Sequence, residues 1–122
     1  MKRLFFVAAL VLSVLAFNSC EDDKWGWDNK VVFSADGGTR EVDGDEDIYT
    51  LSIGDGNGDE KSAVEIAGLM TVTYDWLTAS AVKNTDEIVL VAEPNKTGKS
   101  RKLYVYGMIG NRVMDITVVQ EK

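Results

Sequence analysis

From residue 31 onward the apolar residues fall in short runs, and most of those runs alternate with polar ones. The chain opens on "VVF" at 31–33, short, apolar and β-branched. "ADGGT" at 35–39 is a turn signal, because glycine reaches positive φ without steric cost. "TREV" at 39–42 reads as a short edge strand, and the acidic run "DGDED" is then expected to break the chain. "IYTLSI" alternates, with Tyr49, Leu51 and Ile53 on one face and Ile48, Thr50 and Ser52 on the other. "GDGNGD", 54–59, is a polar loop. "VEIAGL" and "MTVTYDWLTAS", within 64–80, predict two short strands or one bent strand, with Trp76 in the core. "EIVLVAE", 87–93, is a continuous apolar strand stopped by Pro94. "RKLYVYG" and "RVMDITVVQ" make a final hairpin across "MIGN", with Met114, Ile116 and Val118 lining one face of the last strand. About seven short strands, regular turns and no amphipathic helix predict an all-β domain, a β-sandwich, over 30–122.

The first 19 residues break this pattern. Lys2 and Arg3 form a short positive region, and "LFFVAALVLSVLAF", 4–17, is an uncharged apolar stretch. Its length suits a signal-peptide core and is short for a membrane span. A helix with no polar face also has no place on the surface of a small domain.

The only cysteine follows at once. "AFNSC" places the small residue Ser19 directly before Cys20, which resembles a bacterial lipobox. Phe17 and Asn18 depart from the usual residues at their positions. The resemblance implies cleavage between Ser19 and Cys20, with Cys20 the lipidated N-terminus. One acyl chain holds a protein only marginally, whereas two or more give a lasting anchor. Glu21, Asp22 and Asp23 come next. They resemble the acidic export signal of Bacteroidetes surface lipoproteins and also suit a solvated spacer. Residues 20–29 are thus expected to be a lipidated acidic linker, with the protein on the outer membrane facing the cell surface. The nine residues from Glu21 to Asn29 span about 30 Å at ~3.4 Å each.

Charge and composition narrow the chemistry. The 122 residues carry 20 acidic and 13 basic side chains, a net charge of -7. Removing the signal segment takes away Lys2 and Arg3 and leaves -9. That balance does not suit a phosphate backbone, so nucleic acid is not an expected partner. Histidine is absent, which removes the commonest general base and metal ligand. A single cysteine makes neither an internal disulfide nor a Cys-type zinc site. No cofactor, metal or catalytic residue is expected. Asp55, Asn57 and Asp59 have the D-x-N-x-D spacing of a calcium loop, but Glu60 and Ile66 stand where glycine and glutamate belong. Carboxylates are plentiful, yet nothing in their spacing puts two in one cleft for glycosidase chemistry.

Several residues together resemble a family. They are "DWLTAS" at 75–80, Asn95, Gly98 and Arg101 in "EPNKTGKSR", the closing "DITVVQ" ending at Gln120, and the "FSADGGTREV" start. In that order they resemble the BACON family, the Bacteroidetes-associated carbohydrate-binding often N-terminal domain, over about residues 31–121. Members often have a further tryptophan upstream of Asp-Trp-Leu; here "EIAGLMTVTYDW" has Met70 or a neighbour in that place. The resemblance implies an immunoglobulin-like sandwich, no catalysis, and a role beside glycans or mucin.

The motif residues themselves read as structural. Asn95 and Gly98 suit a turn, Arg101 a strand start, and Gln120 the satisfaction of backbone groups where the last strand ends. Candidate glycan contacts are aromatic: Trp25 and Trp27 in the linker, and Tyr104 and Tyr106 on one strand face. Sugar rings have apolar faces that stack on aromatic planes, while nearby carboxylates or amides orient the hydroxyls. Cross-strand pairing is the competing role for the two tyrosines, and headgroup anchoring the competing role for the two tryptophans. The expected partners are the membrane, through the lipid, and either a polysaccharide or an envelope protein that uses the domain as a spacer.

Overall fold

The computed structural model describes residues 29–122. These form ten β-strands, and no helix occurs among the described residues. The strands are β1 (Asn29–Phe33), β2 (Gly38–Ile48), β3 (Ser52–Gly54), β4 (Glu60–Ser62), β5 (Val64–Ile66), β6 (Leu69–Tyr74), β7 (Leu77–Val82), β8 (Thr85–Ala92), β9 (Arg101–Ile109) and β10 (Arg112–Gln120).

Alternation does what its period requires. Met70, Val72 and Tyr74 of β6, Leu77, Ala79 and Ala81 of β7, and Ile88, Leu90 and Ala92 of β8 all turn inward. So do Leu103, Val105 and Ile109 of β9, and Met114, Ile116 and Val118 of β10. Successive side chains leave a strand on opposite faces, so each strand offers one apolar row to the interior. These rows meet in a single core with Val31, Phe33, Val42, Ile48, Leu51 and Ile53.

Pairing divides the strands into two halves. One runs β1-β10-β9-β3-β4 and the other β2-β8-β7-β6-β5. Two segments join them. β2 pairs with β8 from Gly38 to Asp43, shifts register, and reaches β9 at Ile48↔Ile109. At the opposite edge β4 pairs with β3 and β5 pairs with β6. Ala63 lies between them, its N–H donating to the Leu51 carbonyl at 2.9 Å. The result is an immunoglobulin-like sandwich. β1 lies parallel to β10, while the other pairings are antiparallel.

Three expectations change. The acidic run 43–47 does not break the chain but lies inside β2. A bulge tolerates an unpaired stretch and bends the strand, and here that bend carries the chain from one half to the other. Within "IYTLSI" the chain leaves strand geometry over 49–51, between β2 and β3, and alternation fails: Ile48, Leu51 and Ile53 are buried, and Tyr49 is exposed. Residues 64–82 make three strands, separated by the two-residue turns Ala67-Gly68 and Asp75-Trp76. Ala67 and Gly68 both take positive φ, 51° and 86°, the backbone of a tight hairpin turn.

Candidate functional site

The motif residues gather where β1, β8 and β10 end. The Arg101 guanidinium lies 4.9 Å from the Trp76 ring centroid. Its Nε donates to Gln120 Oε1 at 2.8 Å. Gln120 is fully buried, and its Nε2 donates to the Ser34 and Glu93 carbonyls at 3.1 and 2.7 Å. Asn95 Nδ2 donates to the carbonyls of Lys99 at 2.7 Å and Glu121 at 3.0 Å. The Thr97 N–H donates to Asn95 Oδ1 at 3.0 Å. Trp76 is buried as expected, although from a turn position and not from within a strand. This constellation closes the core and satisfies backbone at two chain reversals and just past the end of β10, which is a structural task.

A different arrangement lies on the outer face of the β1-β10-β9-β3-β4 half. Tyr104 and Tyr106 point outward from β9, half-buried, with centroids 6.4 Å apart and ring planes within 20° of parallel. Tyr104 stands between Thr117 of β10 and Gly54 of β3; Tyr106 stands between Asp115 and Ser52. Both rings lean toward glycine. A Cβ on Gly54 would lie 3.0 Å from Tyr106 Cε2, and one on Gly56 would lie 2.6 Å from Tyr104 Cε2. The glycines of the "GDGNGD" loop thus leave room for the rings.

Polar groups frame the pair. The Ser52 hydroxyl donates to Glu60 Oε2 at 2.6 Å. Lys102 Nζ is 5.8 Å from the Tyr104 centroid. Partial burial, followed by the negative charges of Asp115 and Glu60, pushes the Tyr106 phenol above its usual range. Ser52 and Glu60 also line a groove of about 350 Å³ that runs on past Ser62 and Thr50 to Tyr49 and Glu65.

The acidic loop is held by its own backbone. Asp55 Oδ1 accepts the N–H groups of Asn57 at 2.7 Å and Asp59 at 3.2 Å. The Asn57 N–H is the main cause that keeps the Asp55 carboxyl below its usual range. Asp59 Oδ2 accepts the Tyr74 hydroxyl at 2.6 Å, and that bond drives the phenol upward. The two carboxylates that suggested a calcium loop therefore serve the turn and the tyrosine.

Of the residues singled out from sequence, the structure brings Tyr104 and Tyr106 together on one outward face. Ser19, Cys20, Glu21, Asp22, Asp23, Trp25 and Trp27 lie outside the described residues. Sequence reading passed over Ser52, Glu60 and Asp115 as companions of the tyrosines. The signal available was a pair of i, i+2 spacings, Tyr104/Tyr106 and Gly54/Gly56, but their register across β3 and β9 is not written locally.

No family model matches the chain, and no curated protein matches it. Among solved structures, the fold is similar to an NMR structure of a protein from Bacteroides thetaiotaomicron. The TM-score is 0.55 and the identity 16%, over 92% of this chain and 94% of that one. A Bacteroides ovatus GH5 xyloglucanase, solved in complex with a XXXG heptasaccharide, is similar with a TM-score of 0.47 and 16% identity. That match covers 79% of this chain and 18% of the xyloglucanase. The first likeness is one of fold.

Proposed function

We propose that this chain is a non-catalytic, lipid-anchored protein of the outer membrane whose BACON-like sandwich contacts glycans through the Tyr104–Tyr106 face. The observation that carries the reading is the pair of near-parallel rings, 6.4 Å apart, on an outward sheet face. Ser52, Glu60, Asp115 and Thr117 supply donors and acceptors beside them. Aromatic planes take the apolar faces of sugars, and the surrounding hydroxyls and carboxylates orient the sugar hydroxyls. The sequence motif from Trp76 to Gln120 supports the family reading. The Ser19-Cys20 junction and the acids Glu21, Asp22 and Asp23 support the anchor and its address.

A ligand bound only by the folded state raises the unfolding midpoint, by about 2.7 kcal/mol of stability at a hundredfold excess over Kd. Saccharide-dependent stabilisation of the wild type, lost in Tyr104→Ala and Tyr106→Ala, is the expected result. Stabilisation that survives both substitutions removes the site. Fatty-acid labelling lost in Cys20→Ala tests the anchor. Protease shaving of cells carrying alanine at 21–23 tests the address.

A second reading, a protein-interaction module of the envelope, is favoured by the other half of the sandwich. Val64 and Ile66 are 65% and 72% exposed there, beside exposed Leu69 and Val82. Co-purification of one envelope protein, lost in Ile66→Asp and indifferent to saccharide, would select it.

A further inference from the structure

We infer that the tyrosine pair is one half of a longer subsite, completed by the groove from Ser52 to Glu65, and that this subsite takes uncharged or amine-bearing sugars and excludes uronate and sulfated ones. The inference rests on the glycan reading of Tyr104 and Tyr106.

The register carries the continuity. Tyr106 faces Ser52 across β9 and β3, and Ser52 faces Ser62 across β3 and β4. Tyr104 faces Gly54, which faces Glu60. Directly opposed residues share a sheet face, so rings, hydroxyls and carboxylates form one surface. The groove continues this surface over the sheet edge, where Ala63 takes the chain to the other half.

Its charges set the ligand class. Glu60 and Glu65 line the groove. Lys83 Nζ lies 3.6 Å from Glu65 Oε1 and offsets that charge, so Glu60 is the lining carboxylate that sets the field. Asp115 adds a carboxylate beside Tyr106. The cations of this face, Lys30 and Lys102, stand at the Tyr104 end, and Lys102 lies beside that ring. Lys61 is turned to Tyr74, 5.2 Å from its centroid. Ionised carboxylates only accept hydrogen bonds. Sugar hydroxyls and ammonium groups can donate to them, while a uronate or sulfate meets like charge. Like-charge juxtaposition is a device of exclusion as well as a cost.

The test uses the full-length protein in detergent micelles. Binding is measured by calorimetry against neutral hexose oligosaccharides, glucosamine oligosaccharides and oligouronides of matched length. Neutral and amine-bearing ligands are expected to bind, with oligouronides weaker by about tenfold or more at low salt. Glu60→Gln combined with Asp115→Asn should narrow that gap, read within the variant as the ratio of neutral to oligouronide affinity. Oligouronides bound as tightly as neutral ligands, or a gap that survives the double substitution, would overturn the inference and leave the glycan reading standing. Absence of binding to every saccharide class would remove both.

Discussion

The Arg101 guanidinium lies 4.9 Å from the Trp76 ring centroid while its Nε is held by Gln120. A planar cation over an indole face is favourable, and arginine does this while donating sideways. Replacing Gln120 by leucine would strip donors from the Ser34 and Glu93 carbonyls and from Arg101 its acceptor. Urea denaturation should show a loss of about 2–4 kcal/mol, because unsatisfied buried groups keep their desolvation cost. Arg101→Lys, which loses the fork but keeps the charge, should cost about 1–2 kcal/mol.

The β1–β2 turn depends on Gly37. Its φ is +79°, and a Cβ there would lie 2.3 Å from the Ala92 carbonyl oxygen, a backbone atom that cannot rotate away. Gly37→Ala should therefore destabilise by more than about 2 kcal/mol, combining left-handed strain with overpacking. Gly98 has a similar φ, +78°, in open space. Gly98→Asn should be nearly neutral, since asparagine tolerates this region. A thermal melt of the two variants separates backbone conformation from collision.

Tyr74 gives an alkaline signature. Its hydroxyl donates to Asp59, which raises the phenol above the ordinary range. A group raised in the folded state contributes stability that is full below its unfolded value and is lost as pH climbs through the folded one. Above about pH 10, the wild type should lose stability more steeply than Tyr74→Phe. Ultraviolet titration should show one late-ionising phenol fewer in the variant.

Glu87 has the same sign of linkage from a different cause. Glu41 foremost, then partial burial and the neighbouring Asp43 and Asp86, raise its carboxyl. Protonation therefore favours the folded state, and that advantage fades as pH rises through the folded value. Glu87→Gln should raise the urea midpoint at about pH 7 and change it less at about pH 4, near the unfolded carboxyl value. An equal gain at both values would show that like-charge repulsion is not its source.

How much of this was legible depended on distance along the chain. β8 to β10 announce themselves, β8 as a continuous apolar run ended by Pro94 and β10 through an inward row, Met114, Ile116 and Val118, that alternates without interruption. β4 and β5 do not, since all six residues are exposed at a sheet edge and carry no alternating burial. The run 43–47 looks like a break because acidic residues are rare in strands. Only the pairings at Asp43↔Glu87 and Ile48↔Ile109 show that the chain crosses there between halves. The same holds for the site. Tyr104 and Tyr106 are visible as an outward pair, whereas Ser52 and Glu60 join them through a register more than forty residues long in sequence.

The parallel placement of β1 on β10 has a mechanical consequence. Its rungs run from Asn29↔Ile116 to Phe33↔Gln120, and the Glu121 N–H adds a bond to the Phe33 carbonyl at 2.9 Å. A pull drawn along the strand from upstream of Asn29 loads the whole ladder in shear, whereas a strand lifted sideways peels rung by rung. A tether that enters the domain this way transmits force to the strand beside Tyr104 and Tyr106 before the sandwich begins to open.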